Sequence, residues 1–159
     1  LLAAILIIAV LVGLFMMSWQ GIMDRSEAVR CGMNMRSIHS SLANYLQDRS
    51  AIWPQEPENL DQKAHDNWWL QTLEPYGAPE EVWQCPTIKR KILSKASSKG
   101  SGPRLSYSPT SFDDRPGTAY RWSTQPWLME IGNMHGAGAL ICFPDGSTKT
   151  TNEVMGYTK

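Results

Sequence analysis

Apolar residues fill the start of this chain and then withdraw to one face. Residues 1–19 carry no charge, and the first ionisable side chain is Asp24. In a helix, nineteen residues rise about 28 Å, close to the hydrocarbon thickness of a bilayer. A segment in lipid must satisfy its own backbone polar groups, so this run reads as helix. From Ala28 the pattern becomes one-sided. Ala28, Cys31, Met35, Ile38, Leu42 and Tyr45 recur at spacings of three and four, with Arg30, Arg36, Ser40 and Gln47 between them. No proline falls between Leu1 and Trp53, which predicts one helix to about Gln47, ended by Asp48-Arg49-Ser50 and Trp53-Pro54. The chain thus divides into an apolar arm, residues 1–24, and a globular domain, residues 25–159, whose spine is the amphipathic half-helix 25–48.

Beyond the helix the pattern is broken by prolines and glycines. Residues 51–64 read as a polar, Pro-rich connection. Asp66 or Asn67 is positioned to cap a short helix through Leu73, closed by Pro75 and Gly77, with Trp68, Trp69, Leu70 and Leu73 as core. Val82–Cys85 reads as a short strand stopped by Pro86, and residues 94–104 read as a flexible Ser/Gly/Lys loop. Leu105–Ser108 begins a strand and Asp113–Gly117 is a turn. Trp127–Ile131, Gly138–Phe143 and Ser147–Thr151 read as strands, with Asp145-Gly146 as a hairpin signal. The fold class expected is α+β, a long N-terminal helix on a small C-terminal antiparallel sheet.

Charge changes the picture locally. Fifteen acidic and fifteen basic residues cancel over 159 residues, so net charge gives no reason to expect nucleic acid. Residues 51–84 nevertheless carry seven acids against Lys63, and residues 86–104 carry six bases and no acid. The basic block reads as a solvated loop; alternatively the two blocks meet between neighbouring subunits. The chain does not begin with Met, as expected of a processed product or a partial chain, and the apolar arm reads as an anchor kept in the mature protein.

Several separate stretches resemble one family. Cys31-Gly32-Met33-Asn34-Met35-Arg36-Ser37-Ile38, followed by Tyr45 and Trp53-Pro54, is similar to a block of type IV pilin-like proteins. More narrowly, His135, nine residues and then Asp145-Gly146 resemble the C-terminal motif of a pseudopilin-like group related to type II secretion. Trp69 through Pro75-Tyr76, Cys85-Pro86 and Ser106-Tyr107 resemble its middle blocks. Two departures stand out. Leu1 falls just after the position of the family's N-terminal glutamate, and Met17 stands where the family often has proline. Without that proline a helix break is less favoured, although Gly13 softens the stretch by about 1 kcal/mol relative to alanine.

The resemblance implies a pilin-like fold and a structural subunit of an extracellular type IV pilus-like or type II secretion pseudopilus filament. It implies self-association, with an inner-membrane assembly machinery and a prepilin peptidase as partners. The chain would be membrane-anchored first and then part of an extracellular or periplasmic filament. Leu1, Leu2, Ile5, Ile7, Ile8, Val10, Leu11, Leu14 and Phe15 would then pack among copies in the filament core. The competing expectation is a membrane-anchored binding domain that never polymerises, or a minor pseudopilin.

Three cysteines outside the cytoplasm predict one disulfide. Cys31 lies on the apolar stripe and Cys85 ends the segment expected to pack there, so these two are paired; closing a loop of about fifty residues stabilises by roughly 4 kcal/mol. Cys142, in an apolar strand, reads as a small hydrophobe. His135 is expected to start a strand and to fix the hairpin through backbone or Asp145, rather than to act as acid–base partner or metal ligand. His39, His65 and His135 lack zinc-motif spacing, so no metal is expected. The resemblance adds calcium as a candidate ligand, since resembling pseudopilins can hold it in a C-terminal loop, and Asp113-Asp114 is the oxygen-rich candidate. No enzyme is expected: Cys142 and His135, seven apart, fall on opposite faces of a regular strand, and no phosphate loop or nucleophile elbow is present.

Overall fold

A computed structural model describes residues 2–94, 104–136 and 138–157; within the first helix the side chains described are those of residues 7, 12, 13, 15, 22, 23 and 25 onward. The chain is α+β. One helix, α1 (Leu2–Asp48), precedes α2 (Gln62–Leu73), α3 (Pro86–Ser94), β1 (Tyr107–Pro109), α4 (Thr118–Arg121), β2 (Leu128–Glu130), β3 (Leu140–Cys142), β4 (Thr148–Thr150) and α5 (Thr151–Val154). The four strands form one antiparallel sheet in the order β1-β2-β3-β4.

The amphipathic stripe of α1 is the wall on which the rest is built. Cys31, Met35, Ile38, Leu42 and Leu46 are at most 1% exposed, whereas Tyr45 lies at the edge and meets the Tyr76 ring at 5.2 Å. The helix ends as anticipated, with Ser50 and Ala51 both at positive φ. This sharp reversal delivers Trp53 into the core, where its ring meets Trp127 at 5.3 Å and Phe112 at 4.7 Å. Trp69, Leu73, Trp83, Leu105, Tyr107 and Leu128 complete the same cluster.

Four local expectations need correction. Helix α2 begins at Gln62, not after Asp66: the Asp61 carboxylate accepts the Ala64 N–H at 2.7 Å and serves as the cap. Its first turn is polar because it faces water, which hid the periodicity, and Asp66 is buried within the helix. Residues Glu80–Trp83 form a 3-10 turn rather than a strand. Pro86 does not stop a strand but opens α3; proline suits a first helical turn, where its missing N–H has no partner to lose. The basic block is therefore helical up to Ser94, and the loop expected at 94–104 lies mostly outside the described residues.

Part of the charge asymmetry is satisfied within the chain. Arg104 pairs with Glu80 and Asn67, its N–H donates to Asp66, and the Arg104 guanidinium holds the Glu80 carboxyl below its ordinary range. Arg90 pairs with Glu27 at 2.9 Å. The uncharged run 1–19 falls largely on residues whose side chains are outside the described set. Among the described residues, no helix is long and apolar enough to cross a membrane.

Candidate functional site

Three features of α1 decide what it can do: two of the points where it is tied to the domain, and the face it leaves in water. At the first, Cys31 is disulfide-bonded to Cys85, with Cα atoms 5.5 Å apart. Around that bond Asn34, Ser106 and His135 from the quoted stretches converge. The Asn34 side chain donates to the Gln84 carbonyl at 3.2 Å, and the Cys85 N–H donates to Ser106 Oγ at 2.9 Å. The Ser106 N–H donates to the Trp83 carbonyl, and its carbonyl accepts the Ile131 N–H. His135 stands beside the disulfide as well, with Nε2 3.1 Å from Glu130 Oε1.

His135 therefore departs from expectation. It precedes β3, which begins at Leu140, and it meets Glu130 rather than Asp145. The loop between β2 and β3 turns it inward: Gly132, Gly136 and Gly138 all have positive φ, and Asn133 Oδ1 accepts the N–H groups of Gly136 and Gly138. At Gly138 a Cβ would run into Thr151 Oγ1 and the Asn152 N–H. Gly138→Ala should cost about 2–3 kcal/mol, from the φ penalty and the clash together, as read by urea unfolding.

The second tie is made by His39, which the sequence did not single out. Its Nε2 lies 2.9 Å from the Pro144 carbonyl and its ring stacks on Trp127 at 4.7 Å. This fixes the β3–β4 hairpin against α1. Asp145 and Gly146 shape the turn: Gly146 has φ +76°, and Asp145 Oδ1 accepts the Ser147 N–H at 2.8 Å. Hydrogen bonds from the Ser147 hydroxyl and N–H hold the Asp145 carboxyl below its ordinary range. Its contribution to the turn is thus present above the unfolded-state pKa and is lost as pH falls through the lowered value. An NMR titration of the Ser147 amide should show a midpoint below that of an ordinary aspartate.

The outward face of α1 is apolar over part of its length. Ile22, Val29 and Met33 are 62%, 65% and 62% exposed, and Phe15, 60% exposed, is in line with them. At about 100° per residue these four lie within roughly 40° of one another, on the side opposite the buried stripe. The same line then turns polar, through Arg36, Ser40, Asn44 and Gln47, all exposed. Of the residues expected to pack in a filament core, Ile7 and Phe15 are exposed; Leu1 lies outside the described residues, as do the side chains of Leu2, Ile5, Ile8, Val10, Leu11 and Leu14.

The chemistry available elsewhere is limited. Burial pushes the Cys142 thiol up to about 12, so it stays protonated and is a poor nucleophile. The Asp113 carboxylate is committed to Arg115, whose guanidinium holds it down to about 2, which makes it a poor start for a calcium site. No family model, characterised protein or solved structure matches this chain.

Proposed function

We propose that this chain is a structural subunit of a filament of the type IV pilus or secretion pseudopilus kind, and not an enzyme. The observation that carries this is the two-faced helix. One stripe of α1 is used up in holding the domain, while Ile22, Val29 and Met33 continue the apolar arm onto the opposite, exposed face. A solvated spine gains nothing from such a stripe, whereas a helix covered by its neighbours gains roughly 1–2 kcal/mol per side chain. In this reading the domain faces outward and the helices of successive copies pack side by side in an open, head-to-tail array. The resemblance of residues 31–38 and of His135 with Asp145-Gly146 points the same way. The uncharged run 1–19 supplies the membrane-held state before assembly, and the filament stands outside the cytoplasm, where the Cys31–Cys85 bond persists.

Val29→Asp and Met33→Glu test this without touching the core. Each side chain is exposed, so the folded domain should keep its stability to within about 0.5 kcal/mol. Assembly should be abolished, because each variant places an unpaired carboxylate where two helices meet. The readout is sedimentation of polymer sheared from cells, against near-UV circular dichroism of the soluble domain. Unchanged polymer would remove the outward stripe from the assembly interface. Folded wild-type chain that stays membrane-bound and never sediments would favour an anchored binding domain.

A further inference from the structure

The disulfide has polar neighbours. Glu130 and His135 are 0% and 5% exposed at their side chains, and β2 turns the Glu130 carboxylate inward beside the S–S bond. A buried carboxylate is costly unless something compensates it. His135 Nε2 is 3.1 Å from Glu130 Oε1 and 3.5 Å from Cys85 Sγ. The ligand atoms of Cys31, Cys85, Glu130 and His135 all lie within 4.8 Å of one another.

The orientation of the imidazole follows from its other side. Thr87 Oγ1 donates its proton to Glu27 Oε2 at 2.7 Å, leaving a lone pair toward His135 Nδ1 at 3.5 Å. The ring thus has the Thr87 hydroxyl oxygen behind Nδ1 and turns Nε2 to the cluster, the outer-partner pattern of metal-bound histidines. An imidazole lone pair and a carboxylate oxygen are both acceptors, so a proton or a cation must lie between them.

From this geometry we infer that Cys31, Cys85, Glu130 and His135 form a tetrahedral site for zinc, or a divalent ion of similar softness, whenever the disulfide is reduced. Metal and disulfide are alternative cross-links between α1 and the residue that precedes α3. Zinc at its usual bond lengths separates tetrahedral sulfur and nitrogen ligands by about 3.6 Å, and nitrogen and oxygen by about 3.3 Å. The corresponding distances here are 3.5 and 3.1 Å. The two sulfurs need to part to about 3.8 Å, within reach of cysteine side-chain rotation. Thiolate with imidazole selects zinc-like ions over calcium.

The exchange balances. Two equivalents of a monothiol reduce the S–S bond to two protein thiols and leave as their own disulfide. Zinc binding then releases both thiol protons to solvent. In reverse, a disulfide oxidant restores the S–S bond, takes up two protons as it becomes two thiols, and frees the ion. None of this depends on the filament reading.

The test uses the full chain in detergent with Cys142→Ala, so that only the paired cysteines remain, reduced with a phosphine and titrated with cobalt(II). The expected result is one cobalt per chain, with a thiolate-to-cobalt absorption band and tetrahedral visible bands, displaced by zinc, and no such bands in the oxidised protein. His135→Gln or Glu130→Gln should weaken binding at least tenfold, with near-UV circular dichroism reporting the fold throughout. Reduced, folded protein without the band would overturn the inference. So would a band that both substitutions leave unchanged, which marks adventitious thiol binding, or a reduced chain that stays unfolded with metal present.

Discussion

Trp127→Ala should lower unfolding stability by about 4 kcal/mol, in the range of large buried aromatic truncations. Trp127 is fully buried and joins three parts of the molecule. It stacks on His39 of α1, meets Trp53 at 5.3 Å and Tyr120 at 5.1 Å, and its indole N–H donates to the Ala119 carbonyl at 2.8 Å. Truncation opens a cavity, orphans that carbonyl and frees His39 from one face, which loosens its contact with Pro144. Urea unfolding followed by near-UV circular dichroism should show the midpoint fall by about 2 M. Trp53→Phe is the control. Its indole N–H is buried with no acceptor among the described residues, so losing the nitrogen should cost much less than at Trp127.

Cys31→Ala should be almost as severe. The bond spans 54 residues and closes a loop holding α2 and the 3-10 turns Glu74–Tyr76 and Glu80–Trp83, so chain-entropy arithmetic gives about 4 kcal/mol. For a domain of this size that corresponds to a fall in Tm of roughly 12–16 °C. Cys85→Ala should cost nearly the same, and the double substitution little more than either, because both remove one bond. Fully additive losses would show that each cysteine acts through its own packing instead.

The elements that were readable are those where one physical rule acts alone. The three-and-four spacing from Cys31 to Leu42 specified α1, its buried stripe and the partner of Cys85. Asp145-Gly146 specified the last hairpin. Elsewhere two rules competed. Proline marks both the end of one element and the first turn of a helix, and at Pro86 the second sense holds. The strand expected at 82–85 is too short for alternation to separate it from a 3-10 turn. Glu130 shares parity with Leu128, so its inward position was legible, but acids are expected in water. His135 was misplaced because three glycines at positive φ bend its segment away from a strand. His39, next to Ile38 at the margin of the buried stripe, gave a positional signal only.

The central claim is that the outward stripe of α1 is covered by other copies of the chain. Electron cryomicroscopy of native material, prepared without detergent, tests it most directly. Helical filaments with Ile22, Val29 and Met33 buried between neighbouring α1 helices, and the four-stranded sheet on the outside, are the predicted result. Discrete detergent-dependent particles, or filaments in which that stripe faces solvent, would contradict the account.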